Sequence, residues 1–438
     1  MILILLIIAL VAASALGLAV ARLSLTVRAA LLLGGVALVA LADPALAMVG
    51  LGVLVAAFAV DGWRSRPSAQ LQRVAPSILA RGVAADLVVT TTGPARVGLR
   101  RVRQGQVPDI EVTPPEADEE LTARVRATRR GRHTLPPVAV RTAGPLRLAA
   151  WYRDVGGPAD LLVYPDLPAA RRLALAVRQG RFRDPGRITR GPLGLGTDFE
   201  SIRDYLPDDD VRQVNWPATI RTGRPMSNQY RVEQDRDVVC VVDAGRLMAA
   251  PIGDRTRLDA AVDAVAAVAL VADELGDRCG VVVFDDQVRR QLSPRRAGAD
   301  AVVRAIFDAE PSPVDADYEL AFRTVGAGKR ALVLVLVDLL EEAAARPLVD
   351  AMPVLTGRHA VVVAGVTDPD LDAAIREPPT AVGDVYAAAV ALDVLDARAR
   401  VAAQLRRSGA EAVIEAPPER LAAACVGAYL RAKARARL

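Results

Sequence analysis

The chain has 438 residues, of which 52% are hydrophobic and 24% charged, and its formal net charge is +4. This length allows two or three domains, and this composition excludes an intrinsically disordered chain. Three cysteines that are far apart favour buried, reduced thiols in a cytosolic compartment over a disulfide framework, and two histidines without close cysteine pairs argue against a zinc site.

The amino-terminal region, residues 1–64, is predicted to be transmembrane. Residues 1–21 form an uncharged apolar run that is long enough to span the roughly 30 Å hydrocarbon core of a bilayer as a helix. This run lacks the charged first segment of a secretory signal, and the sequence leaves open whether it is retained or cleaved.

A second apolar tract, residues 29–60, is too long for one span and is interrupted by Asp43 and Pro44. Because proline stops helices and aspartate favours turns, we expect two short spans near residues 29–42 and 45–60. One long kinked or partly re-entrant segment is the alternative.

Arginines flank these spans at Arg22, Arg28, Arg64 and Arg66. Arginine accumulates on the cytoplasmic side of membrane helices. The sequence therefore predicts a multi-pass protein of the cell membrane, with the amino terminus and the Asp43 turn outside and the soluble domains in the cytoplasm.

Residues 67–170 are predicted to form a β-rich domain. Short β-like runs alternate here with Gly, Pro and Asp, which is typical of a small β-sandwich or an open barrel. The runs are residues 85–90, 95–99, 121–127, 138–140 and 160–164. The basic cluster at residues 129–132 has few aromatic residues around it, so we expect a turn there and no nucleic-acid site.

Residues 171–236 are predicted to be a linker rich in Arg and Gly, followed by a dense segment of acids, arginines and aromatics. Because a merely solvated surface would not usually carry Phe199, Tyr205 and Trp216, we expect this segment to fold on itself. Arginine forks match carboxylates. We expect its acids to pair with its arginines in a partly buried ionic network, with Asp209 between Arg203 and Arg212.

This segment resembles the signature of the domain-of-unknown-function 58 family, a bacterial group of membrane-anchored proteins with a von Willebrand factor type A-like domain. The matching residues are Gly194, Gly196, Asp198, Phe199, Ile202, Arg203, Tyr205, Asp209, Asp210, Arg212, Val214, Asn215, Trp216, Arg221 and Glu233. The pattern departs at Asp208, where the family usually has glycine, and aspartate is among the less costly replacements at a positive φ. The resemblance implies the hairpin of the second apolar tract and a partner, a MoxR-type AAA+ ATPase.

Residues 237–438 are predicted to form an α/β domain with a doubly wound sheet and helices on both faces. Nearly continuous apolar runs predict buried parallel strands at residues 238–242, 280–284, 331–337, 360–366 and 411–414. Helices are predicted at residues 258–275, 300–309, 318–324, 341–351, 385–407 and 419–433.

Acidic residues end several of these strands: Asp243, the pair Asp285 and Asp286, and Asp338. The carboxyl ends of parallel strands share one edge of the sheet, where such folds hold ligands. We therefore expect these carboxylates to lie near one another, although aspartate also commonly caps the helix that follows a strand.

The α/β layout resembles the von Willebrand A domain, whose adhesion site holds a metal ion with an Asp-x-Ser-x-Ser loop, a threonine and a later aspartate. Asp243 and Asp338 occupy the positions of the two acids, but Gly245 and Leu247 replace both serines. We expect a degenerate site that works without a metal or other cofactor, with Mg²⁺ as the ion that such oxygen ligands would prefer. Arg246, three residues after Asp243, is predicted to offset the carboxylates.

The sequence matches the common enzymatic motifs badly or not at all. Gly326 to Arg330 departs from a phosphate loop, because Arg330 stands where the magnesium-binding hydroxyl belongs. No Gly-x-Ser-x-Gly elbow occurs in the sequence. One catalytic alternative is a metal-dependent hydrolase that uses the acidic cluster Asp204, Asp208, Asp209 and Asp210.

The sequence thus predicts a membrane-anchored, non-enzymatic scaffold or adaptor that binds another protein through its cytoplasmic α/β domain. An outward-facing adhesive domain is the remaining alternative. The candidate interaction residues are Asp198, Phe199, Arg203, Tyr205, Asp209, Asp210, Arg212, Asn215, Trp216, Arg221 and Arg246.

Overall fold

The computed structural model describes residues 23–65, 70–92, 100–183, 198–206, 214–231, 236–338 and 342–435. The span expected at residues 1–21 lies outside these ranges. The chain divides after Val163 into two compact units. Their hydrophobic cores are separate.

The first unit begins with a helical hairpin made of α1 (Val27–Ala42) and α2 (Pro44–Arg64). The turn expected at Asp43 is present: Asp43 caps α2 by accepting hydrogen bonds from the backbone N–H groups of Ala45 and Leu46 at 2.9 and 3.2 Å. Among the described helices, α2 is the one long and apolar enough to cross a membrane, and α1 is a shorter apolar helix.

The rest of the first unit is antiparallel β-structure. Its strands are β1 (Leu23–Leu25), β2 (Gln70–Val74), β3 (Ile78–Ala80), β4 (Ala84–Thr92), β5 (Arg100–Gln104), β6 (Ile110–Thr113), β7 (Glu116–Asp118), β8 (Leu121–Ala127), β9 (Gly131–Leu135), β10 (Val138–Ala143), β11 (Ala149–Val155) and β12 (Ala159–Tyr164). They form sheets in the orders β1-β11-β10-β5-β7, β2-β4-β8-β6 and β3-β12-β9 around one core. In β8 buried and exposed residues alternate strictly, as expected for a strand with one face on the core.

The second unit is built on a six-stranded sheet. Its strands are β15 (Asp237–Asp243), β18 (Arg278–Phe284), β19 (Val288–Arg295), β20 (Leu332–Leu336), β21 (Ala360–Val366) and β22 (Ala412–Ala416). The order is β19-β18-β15-β20-β21-β22, and every pair is parallel except β18 with β19. The five parallel strands are those that the apolar runs predicted. β19 was missed because its alternating side chains give no continuous apolar run.

Helices cover both faces of this sheet. The helices are α3 (Leu167–Arg178), α4 (Trp216–Thr222), α5 (Arg257–Glu274), α6 (Ala299–Ile306), α7 (Tyr318–Gly326), α8 (Glu342–Thr356), α9 (Pro369–Arg376), α10 (Val382–Arg407) and α11 (Pro418–Ala434). α3, α5, α6 and α11 share one core with the alternate strand residues Val238 and Cys240. α7, α8 and α10 share the other core with Val239 and Val241.

The boundary predicted at residue 171 is wrong. Residues Leu167–Arg178 are the helix α3, which packs on α5 through the buried Ala170 and Ala174, so they belong to the α/β unit and not to a linker. Asp166 caps α3 by accepting from the N–H of Ala169 at 3.0 Å. The helix was not predicted because its exposed arginines made the segment resemble a polar linker. These arginines lie on the outer side of α3, opposite its buried apolar face.

The signature segment forms a small subdomain of the second unit. The strands β13 (Asp198–Asp204) and β14 (Met226–Arg231) pair as an antiparallel ribbon, and α4 lies between them in sequence. Two further short strands, β16 (Pro251–Ile252) and β17 (Arg255–Thr256), form a hairpin before α5.

Candidate functional site

The carboxyl edge of the six-stranded sheet contains a topological switch point between β15 and β20. The neighbour of β15 on one side is β18 and on the other side β20, so the chain leaves these two strand ends in opposite directions. In open α/β sheets the crevice at such a point is where ligands bind. Asp243 is the last residue of β15, and Asp338 lies two residues after the end of β20. Both acids that the sequence analysis selected therefore lie at this crevice.

Asp243 is buried and is held by neutral hydrogen-bond donors. Its Oδ1 accepts from the backbone N–H of Gly245 at 2.6 Å, and its Oδ2 accepts from the hydroxyl of Tyr318 at 2.7 Å. Burial raises the pKa of Asp243, and these two hydrogen bonds offset part of that rise. Burial also raises the pKa of Tyr318 well above its ordinary value, and the neighbouring carboxylate adds to this effect. The Tyr318 hydroxyl therefore keeps its proton and is the hydrogen-bond donor to Asp243.

Asp338 is buried as well, but arginines neutralise it. The Nη1 of Arg257, in the first turn of α5, donates to Asp338 Oδ2, and the Nη2 of Arg398, in α10, lies 3.6 Å from Oδ1. Both guanidinium groups are almost fully buried. Burial, and to a smaller extent the charge of Arg398, lower the pKa of Arg257 to about 10. Even so, both arginines remain charged at neutral pH.

The cation beside the strand-end acids is thus different from the predicted one. Arg246 pairs through its Nε with Asp315, and both side chains are more than half exposed. The short helical turn after Gly245 points Arg246 towards the 314–316 loop, where its backbone N–H also donates to Val314 O at 2.8 Å. Arg257 and Arg398 have the role that the sequence analysis gave to Arg246.

Gly245 shows why the serine of the adhesion pattern does not fit here. A Cβ at this position would lie 3.0 Å from Asp243 Oδ1, 3.0 Å from Val314 O and 3.1 Å from Ala316 N. Two of these atoms belong to the backbone and would have to shift. The close approach of the 314–316 loop therefore favours glycine at the first serine position.

A cleft of about 350 Å³ opens above Asp243. It is lined by Asp243, Gly245, Arg246, Leu247, Asp315, Ala316, Tyr318, Ala343, Ala344 and Pro347. Its wall combines one exposed ion pair with small apolar side chains. Such a surface can receive a polar side chain of a partner, but the described part of its wall places no nucleophile next to a base.

Asp285 and Asp286 form a turn, and neither residue lines the cleft above Asp243. Asp285 is buried, and it accepts from the N–H of Gln287 at 3.0 Å and from Arg289 Nε at 2.6 Å. Asp286 accepts from Arg289 Nη2 at 3.2 Å. These bonds close the β18–β19 hairpin, which is a structural role other than the helix cap considered from the sequence.

A helical arm, defined here as residues 368–396, projects beyond the same edge. Arg398 Nη1 donates to the last carbonyl of β21, Val366 O, at 3.2 Å, so this point of α10 is level with the carboxyl edge. From there α10 runs back along the sheet towards β22. The preceding 16 residues, from Val382 to Ala397, therefore extend about 24 Å outward at 1.5 Å per residue.

The arm exposes an apolar face. Val382, Val385, Tyr386, Val390 and Leu392 are all more than half exposed, and Tyr386 is 71% exposed. Their spacing places them on one side of α10. α9 packs on α10 but leaves these five side chains exposed, and none of its own eight residues is buried.

The arm is also acidic. Residues 368–396 contain seven aspartates or glutamates and one arginine, a formal charge of −6, in a chain whose net charge is +4. The arginine, Arg376, is paired with Asp372 at 3.2 Å. The apolar face of the arm is therefore surrounded by negative charge.

The signature residues that the structure describes lie on the β13–β14 ribbon and α4. Asp198, Phe199 and Arg203 are in β13, and Tyr205 follows it, with its N–H bonded to Pro225 O at 3.0 Å. Arg203 is half-buried, and its Nη1 donates to Asp204 O at 3.0 Å.

Asn215 is the cap that begins α4. Its Oδ1 accepts from the N–H of Ala218 at 2.9 Å, and its Nδ2 donates to Asn228 Oδ1 at 2.7 Å. Trp216 follows it and is 63% exposed, contrary to the expectation that the aromatics of this segment fold inward. Arg221, in the last turn of α4, is also exposed.

The ionic network expected in this segment falls largely on residues 207–213. Asp208, Asp209, Asp210 and Arg212 lie outside the described residues. Asp204 is described and pairs with Arg224 at 3.2 Å, with both side chains more than half exposed. An exposed pair of this kind contributes little stability.

Arg257, Tyr318 and Arg398 were not predicted from the sequence as members of this site. Arg257 donates to a residue 81 positions later, and Tyr318 to one 75 positions earlier, so no local pattern joins them to their partners. The available signal was weak: Arg257 is the one basic residue of a helix whose other residues are apolar or acidic.

Among the described residues, no group of three or more His, Cys, Asp or Glu side chains could hold a metal ion. At the switch point the chemistry of the side chains explains this result. Arg257 and Arg398 already supply positive charge to Asp338, and Gly245 and Leu247 offer no side-chain oxygen. A hard cation is coordinated by about six oxygens, and the side chains at this point offer only about two carboxylates.

The model of the family described as "Protein of unknown function DUF58" matches residues 201–409. This range includes the end of the signature segment, the switch point and the helical arm. The match confirms the family resemblance for that part of the chain.

Uncharacterized proteins of Mycobacterium tuberculosis (strains CDC 1551 and H37Rv) and of Mycobacterium bovis are each 27% identical to this chain over 218 residues. The matched region covers 47% of this chain and 66% of each relative, slightly less than two thirds of their length.

Proposed function

We propose that the protein is a membrane-anchored, non-enzymatic scaffold whose α/β unit binds another protein through the helical arm. The exposed apolar face of the arm carries this proposal. A large aromatic residue among aliphatic ones, all exposed on one side of a helix, is the composition of a protein-binding surface, because burying it on a partner releases water from apolar area.

The anchor in this proposal is the hairpin of α1 and α2. The apolar length of α2 supports a membrane-crossing segment. Arg28 and Arg64 lie at the open end of the hairpin. By the positive-inside rule, they support a cytoplasmic location for that end and for the soluble units.

The absence of enzymatic activity in this proposal rests on how the switch-point acids are used. Both oxygens of Asp243 accept hydrogen bonds from within the protein, and Asp338 is neutralised by arginines. Asp243 is thus hydrogen-bonded, and the charge of Asp338 is balanced, inside the fold, which suits a structural role better than general acid or base work.

The partner in this proposal is a MoxR-type AAA+ ATPase, which the family resemblance supplies. The negative charge of the arm requires a basic surface around the apolar contact on that partner. Binding should therefore weaken as salt is raised.

The test is binding of the purified full-length protein to a purified MoxR-type ATPase from the same organism, by biolayer interferometry. Tyr386→Asp should reduce the affinity at least about tenfold, because it places a charge at the centre of the apolar face. Ile220→Asp, at an equally exposed apolar residue of α4 outside the arm, is the matched control and should bind like the parent protein.

The opposite pattern, with Ile220→Asp defective and Tyr386→Asp unaffected, would move the docking surface to the signature segment. Hydrolase activity lost with Asp204→Asn would favour the catalytic alternative.

A reporter active only outside the cytoplasm, fused after Leu438, should stay silent. Strong activity would instead favour the adhesive alternative.

A further inference from the structure

The open end of the α1–α2 hairpin is tied to one turn of the β-structure, residues 144–148, which joins β10 to β11. Asp61, in the last turn of α2, is fully buried and accepts three backbone hydrogen bonds from this turn and the start of β11. Its Oδ1 accepts from the N–H of Leu146 at 2.8 Å, and its Oδ2 accepts from those of Leu148 and Ala149 at 2.8 and 3.0 Å.

The other helix is tied to the same turn. Thr26, the cap of α1, donates its N–H to Leu148 O at 3.0 Å and its hydroxyl to Arg147 O. Trp151 of β11 donates its ring N–H to Gly62 O in α2 at 2.8 Å. Both helices of the hairpin therefore end at one fixed level of the β-structure.

Gly144 shows how closely the turn fits. A Cβ at this position would lie 2.2 to 2.5 Å from the carboxylate atoms of Asp61, so no other residue type leaves room for the acid. Arg147 has a φ of 55°, in the left-handed region that is unusual for a residue with a side chain. The turn is shaped around Asp61.

The residues around this junction have the composition of a membrane interface. Trp63 is 68% exposed, and Leu146 at the tip of the turn is 53% exposed. Arg28, Arg64 and Arg147 are exposed at the same level. Tryptophan and arginine concentrate where a membrane-crossing helix leaves the hydrocarbon, and arginine attracts anionic headgroups.

We propose that the 144–148 turn is a lipid-binding element, seated in the headgroup layer of the membrane that the hairpin crosses. Leu146 enters the interface beside Trp63, and Arg28, Arg64 and Arg147 contact anionic phospholipid headgroups. This inference rests on the membrane anchoring proposed above. It makes the β-structure of the first unit a membrane-resting domain, held at a fixed depth by Asp61.

The test uses single cysteines in the full-length protein, labelled with a polarity-sensitive fluorophore. The three native cysteines are buried, so an introduced exposed cysteine is labelled selectively. Leu146→Cys reports on the turn, Pro158→Cys on the opposite end of β11, and Val53→Cys on the middle of α2. The protein is reconstituted in phosphatidylcholine vesicles with and without phosphatidylglycerol.

We expect the label at residue 146 to be blue-shifted and protected from aqueous iodide, the label at 158 to be fully quenched, and the label at 53 to be in hydrocarbon. Phosphatidylglycerol should increase the protection at 146, and Arg147→Gln should reduce that increase. A label at 146 that is quenched like the one at 158, while 53 stays in hydrocarbon, would overturn this inference alone. A quenched label at 53 would overturn the anchoring itself.

Discussion

Two buried carboxylates, Asp61 in the first unit and Asp338 in the second, are stabilised in opposite ways. Asp61 is surrounded by backbone N–H groups of one turn, and Asp338 by the guanidinium groups of two distant helices. The position of a backbone donor is set by the conformation of the main chain, whereas an arginine donor depends on the presence of one particular side chain. The first arrangement specifies the shape of a turn, and the second specifies which helices meet at the edge of the sheet.

The difference predicts different responses to substitution. A side-chain partner can be removed by mutation and leaves its buried counterion behind. A backbone partner cannot be removed, so the acid itself must be changed.

Arg257→Met should have the largest effect, a loss of about 3–5 kcal/mol in the unfolding free energy, because it leaves Asp338 buried with only Arg398 at 3.6 Å. Equilibrium denaturation of the full-length protein in detergent measures this loss. The triple variant Arg257→Met/Arg398→Met/Asp338→Leu is the control and should recover most of it, since apolar side chains in place of all three charged groups leave no buried charge without its partner. Equal losses in the single and triple variants would show that the ionic cluster is not the cause.

Asp61→Asn should lower the unfolding free energy by about 1–3 kcal/mol. The asparagine amide has one acceptor oxygen, and its NH₂ group would face a backbone N–H that a carboxylate oxygen of Asp61 accepts in the parent protein. Hydrogen exchange at the amides of Leu146, Leu148 and Ala149 should accelerate. Exchange in β20 of the second unit serves as the internal control and should not change. Unaltered protection at all three amides would mean that the turn holds its shape without the acid.

Asp243 lies between these two cases, since a side-chain hydroxyl and a backbone N–H bind it without a cation. Its raised pKa means that the folded state binds the proton more tightly than the unfolded state. The stability gained in this way is present at acidic pH and is lost as the pH rises through the folded pKa.

Asp243→Asn removes this titration and keeps the hydrogen-bonding shape, because the asparagine NH₂ group can donate to the Tyr318 oxygen. We expect the variant to gain stability relative to the parent protein as the pH rises from acidic values to neutrality. Denaturation at several pH values measures this trend, and Asp315→Asn, at an exposed acid, should show little of it. A constant difference across pH would contradict the raised pKa.

Magnesium should have the smallest effect of all, no shift in the thermal melting of the full-length protein. A ligand stabilises a fold only by binding it more tightly than the unfolded chain, and the switch point offers too few free oxygens. Melting in millimolar magnesium and in chelator gives the comparison. A reproducible shift that Asp243→Ala abolishes would establish a metal site.

Much of the second unit could be predicted from sequence because its parallel strands are buried on both faces. Runs such as residues 331–337 and 360–366 are nearly all Val, Ala and Leu, and the helices between them are long enough to recognise. The antiparallel edge strand β19 and the short helix α9 lack such runs, since each has one side in water.

The contents of the site were harder to predict than its position. Strand ends are local features, so Asp243 and Asp338 could be placed at one edge. The partners Arg257 and Arg398 lie 81 and 60 positions from Asp338, on helices of opposite faces, and only the packed sheet brings them together. For the same reason the neighbouring Arg246 was chosen wrongly as the cation.

The Asp61 junction has a consequence for the order of events during synthesis. The N–H groups that Asp61 binds belong to residues 85 to 88 positions later in the chain. At about 5–20 residues per second, the ribosome takes roughly 4–20 s to make them after Asp61 has been translated. During that interval the carboxylate depends on water, because burying an unpaired charge is costly. The last turn of α2 therefore stays hydrated until β10 and β11 have emerged, and the hairpin reaches its final seating only after the domain that follows it has begun to fold.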